Sequence, residues 1–300
     1  MTPPPHHDAP LTAIALMLSA MFVLPFLDVA AKFLGRQDMP VVQSVWARMF
    51  FGTVLILPFV LRGRPLAALV PDLPMLHGAR AFLVVMSTAF FFLGLGRLPI
   101  ADTLSIYFVQ PLIVTLLAPL VLKEHVGLRR WIAVVIGFIG TLIIIRPGFQ
   151  TLNLGILFAL LAGTSSALYL LVTRKISHTG DPILTTFYTN FMGAVLTTAV
   201  VGFVWVTPTL EQWGLLLAIA VVALIGHYLM IAAYRFGEAS LLAPLGYAEM
   251  IMAVVCGWWF FGDFPDRWTF VGVGILIACA IYISYRERVR GIEVEQGPPQ

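Results

Sequence analysis

Asp28, Arg48, Arg80, His227 and Glu249 each stand inside a long run of apolar residues. An ionisable side chain is costly in such surroundings and faces a cavity, water or a partner of opposite charge. Asp28 lies about seven residues from the end of the run 11–34, and Arg48 about eight from the start of the run 41–61. At ~1.5 Å per helical residue both sit about 10–12 Å deep on the same side. Their types allow a structural ion pair. They equally allow a cavity where Arg48 meets a substrate carboxylate or phosphate and Asp28 holds it ready. Glu249 falls about ten residues into the run 239–261, near the depth of a bilayer midplane. A carboxyl there suits a proton-coupled step, the alternative being a Glu hydrogen-bonded to a neighbouring helix.

Thr103, Tyr107 and Gln110 are spaced to share one helical face. Pro111 beside them removes a backbone donor, so the helix is expected to open there against a polar stripe. Arg80 follows His77 near the start of the run 75–95, where snorkelling to the headgroups would also explain it. His227 shares a helix with Tyr228 and Tyr234, as a packed histidine or a proton relay. The expected substrate-binding set is therefore Arg48, Arg80, Tyr107, Gln110, Tyr169, Tyr188, Asn190 and Tyr247. The expected proton carriers are Glu249, Asp28 and His227.

Other chemistry finds no support. The chain has no GxxxxGK[ST] phosphate loop, no HExxH, and no second ligand near the KEH of Lys123–His125. Cys256 and Cys279 lie in apolar runs and suggest neither a disulfide framework nor a metal site. No cofactor, metal or catalytic residue is expected.

The elements that must position these residues follow from composition. Hydrophobic residues make up 60% and charged residues 11%, with mean hydropathy +0.94, more apolar surface than a soluble fold of this length can hide. At about 20 residues per span the chain divides into about ten helices. The runs are 11–34, 41–61, 75–95, 99–122, 128–145, 152–173, 183–206, 213–234, 239–261 and 268–285. Trp205, Trp213, Trp258, Trp259 and Trp268 near their ends read as interface anchors. Residues 1–10 and 287–300 read as polar tails, the first disordered and without the layout of a cleaved signal peptide. With the N-terminus in the cytoplasm, Arg62, Arg64, Lys123, Arg129, Arg130, Arg174, Lys175, Arg235, Arg286, Arg288 and Arg290 fall on the cytoplasmic side. Lys32, Arg36, Arg97, Arg146 and Arg267 fall opposite. This asymmetry places both termini in the cytoplasm. The net charge of +3 thus reflects loops against a lipid bilayer and gives no sign of a nucleic-acid partner.

At an offset of 139 residues the chain weakly repeats itself: Glu124 pairs with Asp263, Gln110 with Glu249 and Ala101 with Ser240. An odd number of spans per half, about five, turns one half upside down relative to the other. The expected fold is an all-α polytopic membrane protein of two inverted five-helix repeats, residues 11–150 and 151–286. Two stretches carry a further likeness: KEHVGLRRWIAVVIGFIGTLIIIRPG, and EASLLAPLGYAEMIMAVVCGWWFFGDFPDRWTFVGVGILI. Each places an acid, Glu124 or Asp263, after the fourth or ninth helix and before a Gly-bearing helix. In this the chain resembles the drug/metabolite transporter superfamily in its EamA-type ten-helix branch. It departs from the usual phrase in having Lys123 where Gly is common and Asp263 where Glu is common.

The resemblance implies a secondary active transporter of a small polar or amphipathic metabolite, working by alternating access in a bacterial inner membrane. An organic anion, amino acid, vitamin or cofactor would each fit the scaffold, with proton coupling or exchange as the drive. A homodimer is kept as a candidate assembly. An intramembrane enzyme would need paired acids, a nucleophile or a metal cluster at one depth, and the chain shows none. A non-transporting helical scaffold would have no use for the inverted repeat.

Overall fold

A computed structural model of the chain describes residues 10–62, 69–121, 128–145, 153–176, 182–236, 242, 245–246, 248–275, 277–278 and 281–282. The expected tails, the KEH of Lys123–His125 and the site candidate Tyr247 lie outside the described residues. The described secondary structure is helical. In lipid a chain must satisfy its backbone internally, and the long apolar runs do so as helices. They are α1 (Pro10–Arg36), α2 (Val41–Leu61), α3 (Pro74–Leu95), α4 (Ile100–Tyr107), α5 (Gln110–Val121), α6 (Leu128–Ile145), α7 (Leu154–Ile176), α8 (Pro182–Val201), α9 (Leu210–Phe236) and α10 (Ala248–Phe261). A further helical stretch spans 267–275. Among the described residues, seven helical segments are long and apolar enough to cross a bilayer, and shorter apolar helices join them.

Proline punctuates the starts: Pro40 precedes α2, Pro74 opens α3, Pro99 precedes α4 and Pro182 opens α8. Two positive φ angles turn the chain at the same end of the bundle, Asp38 (55°) after α1 and Gly262 (71°) after α10. After Gly262 the amides of residues 262 and 263 bond back to the Trp258 and Gly257 carbonyls, both at 3.0 Å, which fixes where Asp263 stands.

The run 99–122 is two helices rather than one. The chain breaks at Phe108–Val109 between α4 and α5, where Pro111 has no N–H to return to the Tyr107 carbonyl. Gly163 on α7 fills the space beside the break. A Cβ there would lie 2.7 Å from the Tyr107 carbonyl oxygen, so only glycine admits this approach.

The helices interlock along the chain rather than half by half. The most extensive packing is of α1 on α9, α3 on α7 and α2 on α8, with α10 lying against both α1 and α4. A single core cluster draws Leu27, Met49, Phe91, Leu104, Leu216 and Met250 from six helices. Outward-facing residues include Phe22, Val54, Phe59, Phe82, Val135 and Val195, a surface suited to lipid.

Candidate functional site

Asp28, Arg48, Tyr107, Tyr169, His227 and Glu249 come from six different helices and converge on the middle of the bundle. Asp28 on α1 is 5% exposed, makes no hydrogen bond to a described residue, and lies within electrostatic range of Glu249 and Arg48. Arg48 on α2 is half-buried and donates from Nη1 to Thr88 Oγ1 at 2.6 Å. Its other donors make no hydrogen bond to a described residue. Asp28 and Arg48 do not touch: the contact ion pair among the described residues is Lys32–Asp263. The structural pairing that their depths allow is therefore absent.

Tyr107, the last residue of α4, points its hydroxyl at Ser166 Oγ (2.8 Å) and packs edge-on to Phe91 at 5.2 Å between centroids. It lies within range of both Arg48 and Glu249. The break at Phe108–Val109 is what releases the ring from a continuous helix, so Pro111 and Gly163 together position it. Glu249 is the second residue of α10, half-buried, with no hydrogen bond to a described residue. His227 on α9 sets Nδ1 2.7 Å from the Ala223 carbonyl, which leaves Nε2 for the interior. It lies within electrostatic range of Arg48 and Arg80.

Arg80 does not snorkel. It is 6% exposed and cross-links three helices, donating from Nε to Thr173 (2.8 Å), from Nη1 to the Thr185 carbonyl (3.2 Å) and from Nη2 to the Tyr169 hydroxyl (2.9 Å). Its guanidinium also lies 5.0 Å over the Tyr169 ring. The arginine thus holds Tyr169 towards the interior, where it lies within range of Arg48. His77, one turn earlier, stacks edge-on against Tyr188 at 5.0 Å, with its Nδ1 buried and unpartnered.

The remaining candidates stand apart. Tyr188 is buried in a small cluster with Ile56, Val60 and Phe187. Asn190 donates to the Thr186 carbonyl (3.0 Å) and turns its oxygen to Gly52 on α2. Gln110 opens α5 just past the break. Thr103 is fully buried and bonds back to the Pro99 carbonyl at 2.9 Å. Thr88 and Ser166 were not anticipated, yet they seat Arg48 and Tyr107. Their only signal is that a polar residue recurs on an apolar helix. Among the described residues no group of His, Cys, Asp and Glu could hold a metal ion.

The profile of the EamA-like transporter family matches residues 11–146 and again 153–285. The chain belongs to the EamA-like transporter family. Among its relatives, the S-adenosylmethionine uptake transporter of Rickettsia bellii is 28% identical over 262 residues, covering 87% of this chain and 89% of that one. The riboflavin transporter of Vibrio cholerae is 26% identical over 285 residues, covering 94% and 95%. A solved crystal structure matches with a TM-score of 0.63 at 16% identity, covering 92% of this chain and 98% of that one, which speaks to the fold alone. The family, the apolar helices and the buried polar centre make this chain a multi-pass membrane transporter of a small metabolite.

Proposed function

We propose that the chain carries a zwitterionic metabolite with an added positive charge, S-adenosylmethionine foremost, by secondary active transport. One observation carries this reading: a guanidinium and two carboxyls share the interior without neutralising one another by contact. Buried charges left apart are costly. A ligand bearing both signs removes that cost. Arg48 offers its free donors to the ligand carboxylate, where a bidentate geometry is strongest. Asp28 and Glu249 take the cationic groups, and the Tyr107 and Phe91 rings flank them as cation–π and stacking surfaces. S-adenosylmethionine, the substrate in the name of the Rickettsia relative, carries a carboxylate, an ammonium and a sulfonium.

Glu249 serves in turn as the proton site when the cavity returns empty. The frame is ten spans in two inverted repeats, with α4 and α5 sharing one span. The helix pairing supports it: α1 on α9 corresponds to α3 on α7 when the halves exchange, and α2 on α8 maps onto itself. The excess of Arg and Lys in one set of loops supports cytoplasmic termini in a bacterial inner membrane, and puts Lys32 at the outer end.

The test is uptake into proteoliposomes of labelled S-adenosylmethionine, riboflavin and neutral amino acids. Saturable uptake of the first, competed by other cationic amino-acid derivatives, is expected. Accumulation of riboflavin without S-adenosylmethionine would refute the charge-matched site.

A further inference from the structure

Where α1 ends, Lys32 Nζ meets Asp263 Oδ2 at 2.7 Å and donates to the Leu98 carbonyl at 3.0 Å. The pair joins α1 to the turn after α10, 231 residues along the chain. Its two sides differ: the Lys32 side chain is 8% exposed and that of Asp263 is 27%. The lysine is the buried partner and the aspartate the reachable one. Beside them lies a cavity of about 280 Å³ lined by Lys32, Arg36, Arg97, Leu95, Leu98 and Asp263. Its wall holds three cations and one carboxylate. Arg36 and Arg97 rest over the rings of Phe261 and Phe158, at 4.5 and 5.0 Å, and among the described residues neither has a carboxylate in contact.

We propose that this vestibule is a carboxylate-binding entrance whose ligand takes the place of Asp263 on Lys32. The proposal rests on the transport reading above and adds a second site, at the end of the bundle, to the one at its centre. A nearly buried ammonium is expensive without a counter-charge. Asp102 lies within electrostatic range of Lys32 while Asp263 holds the contact, so Asp263 leaves most readily when another carboxylate arrives to take that contact. The surplus of positive charge draws such a ligand in and raises its local concentration. Asp263 follows the left-handed turn at Gly262, outside any helix, so its side chain can swing away from Lys32 while its amide keeps its bond to the Gly257 carbonyl. Leu95, 1% exposed, forms part of the cavity wall and stays dry while the latch holds. The end of the bundle then opens to a carboxylate-bearing metabolite and stays shut to water without one.

The experiment uses the full chain in vesicles, with Cys256 and Cys279 changed to Ser and a single reporter, Leu95→Cys. Leu98→Cys, half-buried on the same cavity, serves if the first variant folds poorly. The readout is the rate of alkylation by a membrane-impermeant maleimide, at constant ionic strength. Tens of millimolar propionate should speed it, and neutral propionamide should not. Lys32→Gln should raise the ligand-free rate on the order of tenfold, as fits loss of one partner of a largely buried pair, and erase the response to propionate. Asp263→Asn should raise the ligand-free rate as well. Rates unmoved by both substitutions would overturn the latch, and equal acceleration by propionamide would overturn the carboxylate site. Neither readout depends on S-adenosylmethionine, so a failure of its uptake alone would leave the entrance standing and remove the proposed substrate.

Discussion

Gly163→Ala tests whether the helix break beside Tyr107 is held by a close backbone approach. The new Cβ would lie 2.7 Å from the Tyr107 carbonyl oxygen and 2.9 Å from Val109 Cγ1. Comfortable contacts begin nearer about 3.5 Å, so α7 and the break must separate by roughly 0.6–0.8 Å. The oxygen belongs to the backbone and cannot rotate aside. Ser166 lies three residues along the same face of α7, so the separation also pulls on its 2.8 Å contact with the Tyr107 hydroxyl. A bond stretched to about 3.4 Å is outside the useful O–H···O range. Overpacking costs about 1–3 kcal/mol. The lost hydrogen bond adds about 0.5–1.5 kcal/mol. Better helix propensity returns at most about 1 kcal/mol. The balance is a loss of roughly 1–3 kcal/mol, read as a lower melting temperature in detergent and a raised KM for uptake. Gly78→Ala is the control: nothing lies within 4 Å of its added methyl, so the same change should be neutral or stabilising. If Gly163→Ala melts at or above the parent and keeps its KM, the approach does not constrain Tyr107 and the reasoning fails.

Arg48→Lys keeps the charge but cannot hold Thr88 and also grip a carboxylate with a planar fork. At about 1.5–3 kcal/mol for hydrogen bonds to a charged group, KM for S-adenosylmethionine should rise roughly 10–100-fold while its decarboxylated analogue is little affected. Asp28→Asn should leave protein yield intact, because no contact ion pair is lost, and reduce uptake; recovery of uptake at normal KM would remove Asp28 from the site. Glu249→Gln should abolish the response to a pH gradient and slow substrate exchange across the membrane, and an unaltered pH response would defeat its role as proton carrier. Uptake by the parent chain should be insensitive to a clamped potassium diffusion potential, and clear acceleration by an inside-negative potential would contradict the charge balance of the site.

The helices were legible because each apolar run in lipid has one way to satisfy its backbone, and α2 and α6 match their runs to the residue. The break in the fourth run was legible for the same reason, since Pro111 cannot return a hydrogen bond. Charge type was legible too: Asp28, Arg48 and Glu249 stand out as ionisable residues within apolar runs, and the fold brings them within electrostatic range of one another without contact between Asp28 and Arg48. Rotation about each helix axis was not. Tyr188 and Asn190 look like cavity residues by type, yet packing turns the first to Val60 and the second to Gly52. Lys32 shows the limit most clearly. Counted by sequence it is a cation near a span end, available to snorkel. Its partner lies 231 residues away, on a turn whose position depends on Gly262. No local pattern carries that information.

The charges of this chain differ in how they are neutralised, and that difference fits the proposed cycle. At the end of the bundle Lys32 has its carboxylate in contact, while Arg36 and Arg97 leave that region positive. At the centre Asp28, Glu249 and Arg48 together carry one net negative charge when both carboxyls are ionised. Moving a site of uncompensated charge through a low-dielectric interior is costly, so the empty site resists reorienting. A zwitterion with one extra positive charge brings the centre to neutrality. A proton on Glu249 does the same for the return. Each reorientation then moves a neutral site, and a neutral site feels little of the roughly 2.3 kcal/mol that 100 mV exerts on a unit charge. Substrate moves one way and a proton, or another substrate, the other. Removing the titrating group with Glu249→Gln removes one negative charge permanently. The empty site is then neutral and returns without a proton, while the loaded site carries one uncompensated positive charge, so pH coupling is lost and exchange slows.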